Sequence, residues 1–317
     1  MSARVTSEMI NPELRDALAK VPRVPLKSAL FRRIAPYLMK LRPAPELPEV
    51  SVSVRRSNRL YRPNRVRTRG ALLWIHGGGY IIGSAAIDDA LCGQIARELG
   101  IQVVSAEYRL APRHRYPAAL DDCHEVWRWM LREADALGID RHHIALGGMS
   151  AGGGLAAALV HRLRDEGGLQ RVAQLLMAPM LHDLTAARRE LDEIAHPMWG
   201  NDLNRFGWRS YLGYEPGAST LPDYASPARC GDLSNLPPTW IGVTSIELFR
   251  EEESLTQNGW KRRGFRSLWK WCQAPRTASR HGDGTPCSAV HTWPKLFDGS
   301  ETSWTRSSAR AGHVRAS

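Results

Sequence analysis

GMSAG at residues 148–152 fits the pattern G-x-S-x-G, and it stands between a short apolar run at 144–146 and a helix-forming segment at 153–164. This pattern is typical of a sharp turn from a strand into a helix, where a serine stands clear of the backbone and side chains on its neighbours would collide. The leucines of the segment recur every four residues, which predicts a helix with one apolar face. Ser150 is therefore the candidate nucleophile.

A second glycine-rich stretch, HGGGY at 76–80, directly follows the apolar run 71–75. Because glycine has no side chain, the N–H groups of Gly77 and Gly78 can face a bound carbonyl oxygen, and the N–H of Ala151 is unpaired at the start of its helix. We predict that these three groups form an oxyanion hole. Each motif alone is common in glycine-rich sequence, but the two together, each after an apolar run, favour a serine hydrolase site.

Composition limits the class of protein. The chain has 317 residues, 43% of them hydrophobic, which suits one α/β catalytic domain with insertions. No apolar stretch approaches the length of a membrane span and no apolar signal segment opens the chain, so a cytoplasmic protein is expected. The five cysteines lack C-x-x-C spacing, which argues against a disulfide framework and a zinc site. No metal or other cofactor is expected.

Short apolar runs alternate with helical or loop segments along the middle of the chain, which predicts a mostly parallel sheet covered by helices on both faces. These runs are 71–75, 101–106, 144–146, 173–177 and 239–243. An aromatic, polar interval interrupts them and is interpreted as a lid. The expected organisation is an N-terminal cap segment at 1–48, a first core part at 49–184, the lid at 185–221, a second core part at 222–253 and an aberrant basic tail at 254–317.

Four motifs resemble those of bacterial hormone-sensitive-lipase-like esterases of the α/β-hydrolase superfamily. They are HGGGY at 76–80, YRLAP with YPAALDD at 108–122, GMSAGGGLAAAL at 148–159, and SPAR with LPPTWIGV at 226–243. The resemblance covers roughly residues 8–252 and implies an α/β-hydrolase fold with a helical cap, a small ester substrate and a Ser-His-acid mechanism. It also allows a homodimer, and the oligomeric state stays open.

The same resemblance implies that Glu247 is the acid of the catalytic triad, because it follows the LPPT strand where relatives more often carry aspartate. A carboxylate there would orient a histidine and stabilise its imidazolium form. The alternative is that Glu247 only starts a helix, with further glutamates at 251–253. Arg109 and Asp122 are interpreted as structural residues, and His76 as a residue that holds the oxyanion loop.

The composition changes after Glu252. Residues 260–317 carry five of the eleven tryptophans and a net charge of +8 out of +11, and the P-G-x-x-H-G-F segment that holds the histidine of relatives is absent. Thr277 stands at the histidine position, and His281 is the nearest substitute base in sequence. We expect the last strand and helix of the fold to be missing or disordered.

A shifted reading frame is one hypothesis for this tail. Codons for residues 272–280 can be chosen that, read one base earlier, spell VPGAPHGFE, and the preceding residues permit a helix end and a strand in the same frame. The degeneracy of the code makes this a statement of compatibility, with the change of frame placed near Glu253.

The sequence therefore predicts a carboxylesterase for short acyl esters, impaired in this chain by the missing histidine. The alternative is a non-catalytic, ligand-binding member of the superfamily. Nucleic acid is not expected as a partner, because most of the net positive charge lies in the tail and charge alone is weak evidence. The natural substrate, the acyl-chain length and the stereoselectivity are not determined.

Overall fold

The structure is a computed structural model that describes residues 24–168, 173–194, 196, 198–242, 247–249 and 252, together with the backbone of 243–244 and 267–272. Eight strands form one sheet within this part of the chain. They are β1 Val50–Arg55, β2 Asn58–Pro63, β3 Ala71–Ile75, β4 Gln102–Ala106, β5 Ile144–Met149, β6 Gln174–Met177, β7 Thr239–Thr244 and β8 Ser267–Cys272. The five apolar runs in the sequence correspond to β3–β7, as predicted.

The spatial order of the strands is β1-β2-β4-β3-β5-β6-β7-β8. The hairpin β1–β2 pairs antiparallel and joins β4 antiparallel, whereas all neighbours from β4 to β8 are parallel. Parallel strands need crossover connections, and helices supply those between β3 and β7. Because parallel neighbours share a direction, the carboxyl ends of β3, β5, β6 and β7 lie at one edge of the sheet, where ligands of open α/β sheets commonly bind.

The helices of the described residues lie between and beside these strands. They are α1 Ala29–Lys40, α2 Asp89–Leu99, α3 Ala118–Arg132, α4 Ala134–Leu137, α5 Ala151–Asp165, α6 Asp183–Ala187 and α7 Asn201–Leu212, with 3-10 turns at Arg189–Glu193 and Pro227–Arg229. The helix expected to start near Asn11 lies outside the described residues.

Strand β3 shows why the sheet is covered on both faces. All five of its residues are fully buried, as expected for a continuous apolar run in a parallel sheet. Leu73 and Ile75 belong to the core cluster that contains Leu159 of α5. Leu72 and Trp74 face the other cluster, which packs against α2. The alternation of side chains along a strand thus divides one apolar run between two cores.

The expected loss of the last strand is wrong for residues 267–272. These residues form β8, which pairs in parallel register with β7 from Thr239↔Ser267 to Thr244↔Cys272. The sequence SLWKWC contains aromatic and apolar residues that favour strands, and pairing with β7 continues the sheet by one edge strand. The last helix of the expected fold lies outside the described residues.

Candidate active site

Ser150 lies at the turn between β5 and α5, with backbone angles φ 54° and ψ −120°. A non-glycine residue in this region is strained by about 1–3 kcal/mol, and such strain persists only where the surrounding structure enforces it. Ser150 is also the N-cap of α5, yet its hydroxyl makes no capping hydrogen bond. The Oγ atom is therefore not used by the helix, unlike that of most N-cap serines.

Backbone hydrogen bonds hold this turn from two sides. The Ser150 N–H donates to the Met177 carbonyl oxygen at 2.8 Å, and the Met180 N–H donates to the Ser150 carbonyl oxygen at 3.0 Å. Both partners belong to the end of β6 and the residues just after it. The strained conformation of Ser150 is thus enforced by the neighbouring strand.

Glycine is required on both sides of Ser150 because the turn presses against β3. A Cβ on Gly148 would lie 2.4 Å from the Gly152 carbonyl oxygen and 2.7 Å from that of Ile75. A Cβ on Gly152 would lie 2.0 Å from the Ile75 carbonyl oxygen. These are contacts with backbone atoms, which cannot rotate away as side chains can.

The loop after β3 brings Gly77 against Ser150. A Cβ on Gly77 would lie 3.5 Å from the Ser150 Cβ. Gly78 has φ +117°, and a Cβ there would collide with the Ile82 carbonyl oxygen, so only glycine fits. Ala151 is the first residue of α5, and its N–H belongs to the group that lacks partners inside the helix. The structure therefore gathers Gly77, Ser150 and Ala151 at one place.

His76 is built into the base of this loop. Its Nδ1 lies 2.8 Å from the Gly77 carbonyl oxygen, and its ring stacks on Tyr108 at a centroid distance of 4.2 Å. The Tyr108 hydroxyl donates to the His76 carbonyl oxygen at 2.8 Å. Complete burial lowers the pKa of His76 to about 4. These contacts support the expectation that His76 holds the loop.

Residues of the predicted lid cover the other side of the oxyanion loop. The Trp199 ring lies against Gly79, where an added Cβ would be 2.1 Å from the ring edge. Tyr80 stacks on Tyr211 of α7 at 4.1 Å and meets Trp208 edge-on at 5.3 Å. The glycine loop at 76–80 is therefore packed between the sheet and α7.

Arg109 and Asp122 form an ion pair with each other. The Arg109 guanidinium donates three hydrogen bonds to the carboxylate, at 2.8 to 3.0 Å. The carboxylate also accepts the Arg109 N–H at 2.8 Å, which ties the loop after β4 to α3. This contact agrees with the structural role expected for both residues.

Ser150 thus lies on a strained turn between a parallel strand and a helix, beside a glycine loop. A family model described as the alpha/beta hydrolase fold matches residues 72–270, which is more than half of the chain. The chain belongs to the alpha/beta hydrolase fold family.

The relatives of this alpha/beta hydrolase include curated esterases. It is similar to ethyl acetate hydrolase of Pseudomonas putida, with 45% identity over 41% of each chain, so it spans less than half of that relative's length. It is also similar to carboxylesterase NlhH of Mycobacterium tuberculosis, with 34% identity over 68% of this chain and 71% of that one. Among solved structures, a bacterial heroin esterase shares 30% identity with a TM-score of 0.71, over 84% of this chain and 89% of the other.

Glu247, the predicted acid, lies three residues beyond the end of β7 and is half-buried. Strand β7 is parallel to β6, and β6 is parallel to β5, so Glu247 and Ser150 follow strands that end at the same edge of the sheet. The topology thus places the predicted acid and nucleophile on the same side of this alpha/beta hydrolase. His281, the substitute base, lies outside the described residues.

Glu252 is a buried carboxyl group that sequence reasoning did not single out. Its Oε1 accepts hydrogen bonds from the Leu181 N–H at 2.5 Å and the His182 N–H at 2.8 Å. Burial raises the pKa of Glu252 to about 8, and the nearby Asp183 carboxylate acts in the same direction. The residue anchors the segment after Glu247 to the chain that follows β6. It is one of three consecutive glutamates, and the sequence does not indicate which of the three is buried, because that depends on tertiary packing.

Proposed function

We propose that this protein is a carboxylesterase that hydrolyses short acyl esters through Ser150. The observation that carries the proposal is the strained turn of Ser150 with Gly77 directly against it. A strained, externally enforced serine conformation without a capping role is an arrangement that suits a nucleophile. The esterase names of its relatives support the same chemistry.

In this proposal the Ser150 Oγ attacks the acyl carbon while a base accepts its proton. The negative charge that develops on the carbonyl oxygen is stabilised by the N–H groups of Gly77, Gly78 and Ala151. The alcohol leaves after taking up the proton, and water then releases the acid from the acyl-enzyme. Glu247 would orient the base and stabilise its protonated form.

The histidine that would act as the base in this mechanism is missing from its expected position in the sequence. Thr277 stands where the resemblance expects histidine, and His281 is four positions later. Loss of the base in a serine hydrolase reduces turnover by on the order of 10⁶. We therefore propose an esterase site with impaired turnover, acting on a small-molecule ester.

The missing histidine favours a second candidate, a member of the superfamily that binds an ester-sized ligand without turnover. The two candidates share the fold and the loop around Ser150, and they differ in whether product forms. Both predict a ligand at the carboxyl edge of the sheet.

The deciding experiment measures product formation and labelling of Ser150 in the full chain. A p-nitrophenyl phosphonate should modify Ser150, as mapped by peptide mass spectrometry, and p-nitrophenyl butyrate should be hydrolysed slowly. Ser150→Ala should abolish both signals, while Ser84→Ala, a serine outside the proposed site, should retain them. Hydrolysis that persists in Ser150→Ala would show that the proposal is wrong. Saturable ester binding without labelling or product would favour the binding protein.

A further inference from the structure

Helix α1 carries a continuous stripe of large apolar side chains on its outer face. The stripe consists of Leu30, Ile34, Tyr37 and Leu38, with Leu41 just past the helix end, and these side chains are between 44% and 67% exposed. At about 100° per residue, all five fall within an arc of roughly 100° around the helix axis. Contiguous exposed apolar patches of this kind mark surfaces that bind a partner.

The opposite face of α1 is attached to the body of the protein. Ala35 is buried, and ion pairs lie at both ends of the segment. Lys27 pairs with Asp202 of α7 at 2.9 Å, and Lys40 pairs with the largely buried Glu107 at 3.0 Å. The helix is therefore held with its apolar stripe facing outward.

The charge of this segment is entirely positive. Residues 24–45 contain five lysines and arginines and no acidic residue. Arg33 borders the stripe on one side, together with Lys40, whose ammonium pairs with Glu107, and Arg42 follows the helix, all three side chains being exposed. The surface thus combines an apolar centre with a basic border.

This charge argues against two other occupants. A second copy in a twofold contact would place the same basic border against itself, because such contacts use one patch on both copies. Residues 1–23 carry four basic and three acidic residues, so they do not supply compensating negative charge. An anionic lipid surface complements both features at once.

We propose that α1 is an interfacial helix through which the protein binds anionic lipid membranes. Leu30, Ile34 and Leu38 would enter the boundary between headgroups and acyl chains, and Tyr37 would lie at headgroup level. The basic border would contact anionic headgroups. No helix in the described part of the chain is long and apolar enough to cross a membrane, and an interfacial helix lies in the plane of the surface.

The test is flotation of the full chain with vesicles of phosphatidylcholine alone or with about 30% phosphatidylglycerol. The wild-type protein should float with the anionic vesicles and much less with the neutral ones. Leu38→Asp should lower the bound protein at least about tenfold, because a charge replaces an inserted apolar side chain. Arg33→Glu should weaken binding on the order of tenfold at low salt. Val66→Asp, at a 52% exposed valine away from α1, is the matched control and should bind like the wild type.

Several outcomes overturn the proposal. Binding that is unaffected by Leu38→Asp would come from the basic residues 260–317 instead. Equal binding to neutral and anionic vesicles would show that the basic residues do not contribute to binding and that the proposed preference for anionic lipid is wrong. Absence of vesicle binding, with dimers that Leu38→Asp converts to monomers in light scattering, would identify a second copy as the occupant. Absence of binding, with a melting temperature lowered by Leu38→Asp but not by Val66→Asp, would identify the chain's own residues 1–23.

Discussion

Gly77 lies so close to Ser150 that a Cβ built on it would be 3.5 Å from the Ser150 Cβ and 3.1 Å from the Met149 carbonyl oxygen. The loop after β3 and the turn after β5 therefore meet backbone to backbone. This contact places the loop next to Ser150, the proposed nucleophile, and it depends on the absence of a side chain at Gly77.

Gly77→Ala is expected to impair the site while leaving the fold intact. Its Cβ would meet its neighbours at 3.1 Å or more, which small shifts can relieve, but such shifts would move the proposed oxyanion donors. Loss of one donor lowers turnover by about 10²–10³. The rate of Ser150 labelling by a phosphonate measures the effect on the site, and the melting temperature measures the effect on the fold.

Gly152→Ala is the contrasting variant, because its Cβ would lie 2.0 Å from the Ile75 carbonyl oxygen. It should unfold, or its free energy of unfolding should fall by about 4 kcal/mol or more. A Gly152→Ala protein as stable as the wild type would contradict this geometry.

Ser150→Gly is expected to stabilise the protein, whereas Ser150→Ala is not. The positive φ of 54° strains any residue with a Cβ, and glycine removes that strain at some cost in chain entropy. The net gain in the free energy of unfolding should be about 1 kcal/mol. Urea unfolding of the two variants, both without the nucleophile, measures the difference. Equal stabilities would mean that the turn is not strained.

Gly79 and Trp199 are expected to be energetically coupled. Gly79→Ala would place a Cβ 2.1 Å from the Trp199 ring at φ +59° and should destabilise the protein. In a Trp199→Ala background the collision disappears, and only the backbone strain of about 1 kcal/mol should remain. A double-mutant cycle by chemical denaturation measures the coupling, which for contacting residues is typically about 0.5–3 kcal/mol. Additive effects would show that the ring does not cover Gly79 in solution.

Glu252→Gln is expected to change how stability depends on pH. Burial raises the folded-state pKa of Glu252 to about 8, whereas an unfolded glutamate has a pKa of about 4.3. The folded state therefore binds this proton more tightly, and the stabilisation is complete below about pH 4 and is lost as the pH rises to about 8. Glutamine keeps the acceptor for the Leu181 and His182 N–H groups and resembles the protonated form. Relative to wild type, the variant should gain up to about 1.4 kcal/mol per pH unit within this window.

Comparison of Glu252→Ala with Glu252→Gln measures the contribution of the hydrogen bonds independently of the titration of Glu252. Glu252→Ala leaves two N–H groups without their acceptor, so relative to Glu252→Gln it should destabilise the protein at every pH, by about 1–3 kcal/mol for each unpaired group. A pH-independent difference between Glu252→Gln and wild type would rule out the raised pKa.

Restoring one base near the codon for Glu253 is expected to raise esterase activity. The repaired frame would supply a histidine in place of the residues around Thr277, and a triad base contributes on the order of 10⁶ in turnover. Sequencing of the coding DNA across residues 245–285 and a p-nitrophenyl butyrate assay check the two steps. Ser150→Ala in the repaired chain should remove the gain. If the DNA across Arg276 and Thr277 contains no histidine codon in the shifted frame, the hypothesis is wrong and the binding protein is favoured.

The strands of the core were predictable because each is a short apolar run between polar segments. The run 71–75 matches β3 residue for residue. A strand that is buried on both faces is apolar at every position, so the apolar run has the same bounds as the strand. The prediction failed at 267–272, where aromatic residues among basic ones gave no clear period. There, the strand forms by pairing with β7, although the local sequence pattern does not predict it.

The sequence by itself determined the fold family, the G-x-S-x-G turn that carries the candidate nucleophile Ser150, and the glycines that the turns require, because these depend on local backbone conformation. Only the tertiary structure decided that Glu252 is buried, that complete burial lowers the pKa of His76, and that Trp199 lies on Gly79. These properties arise from segments far apart in the chain. Desolvation and contact depend on which segments meet in space, and that information is not contained in the spacing of any one motif.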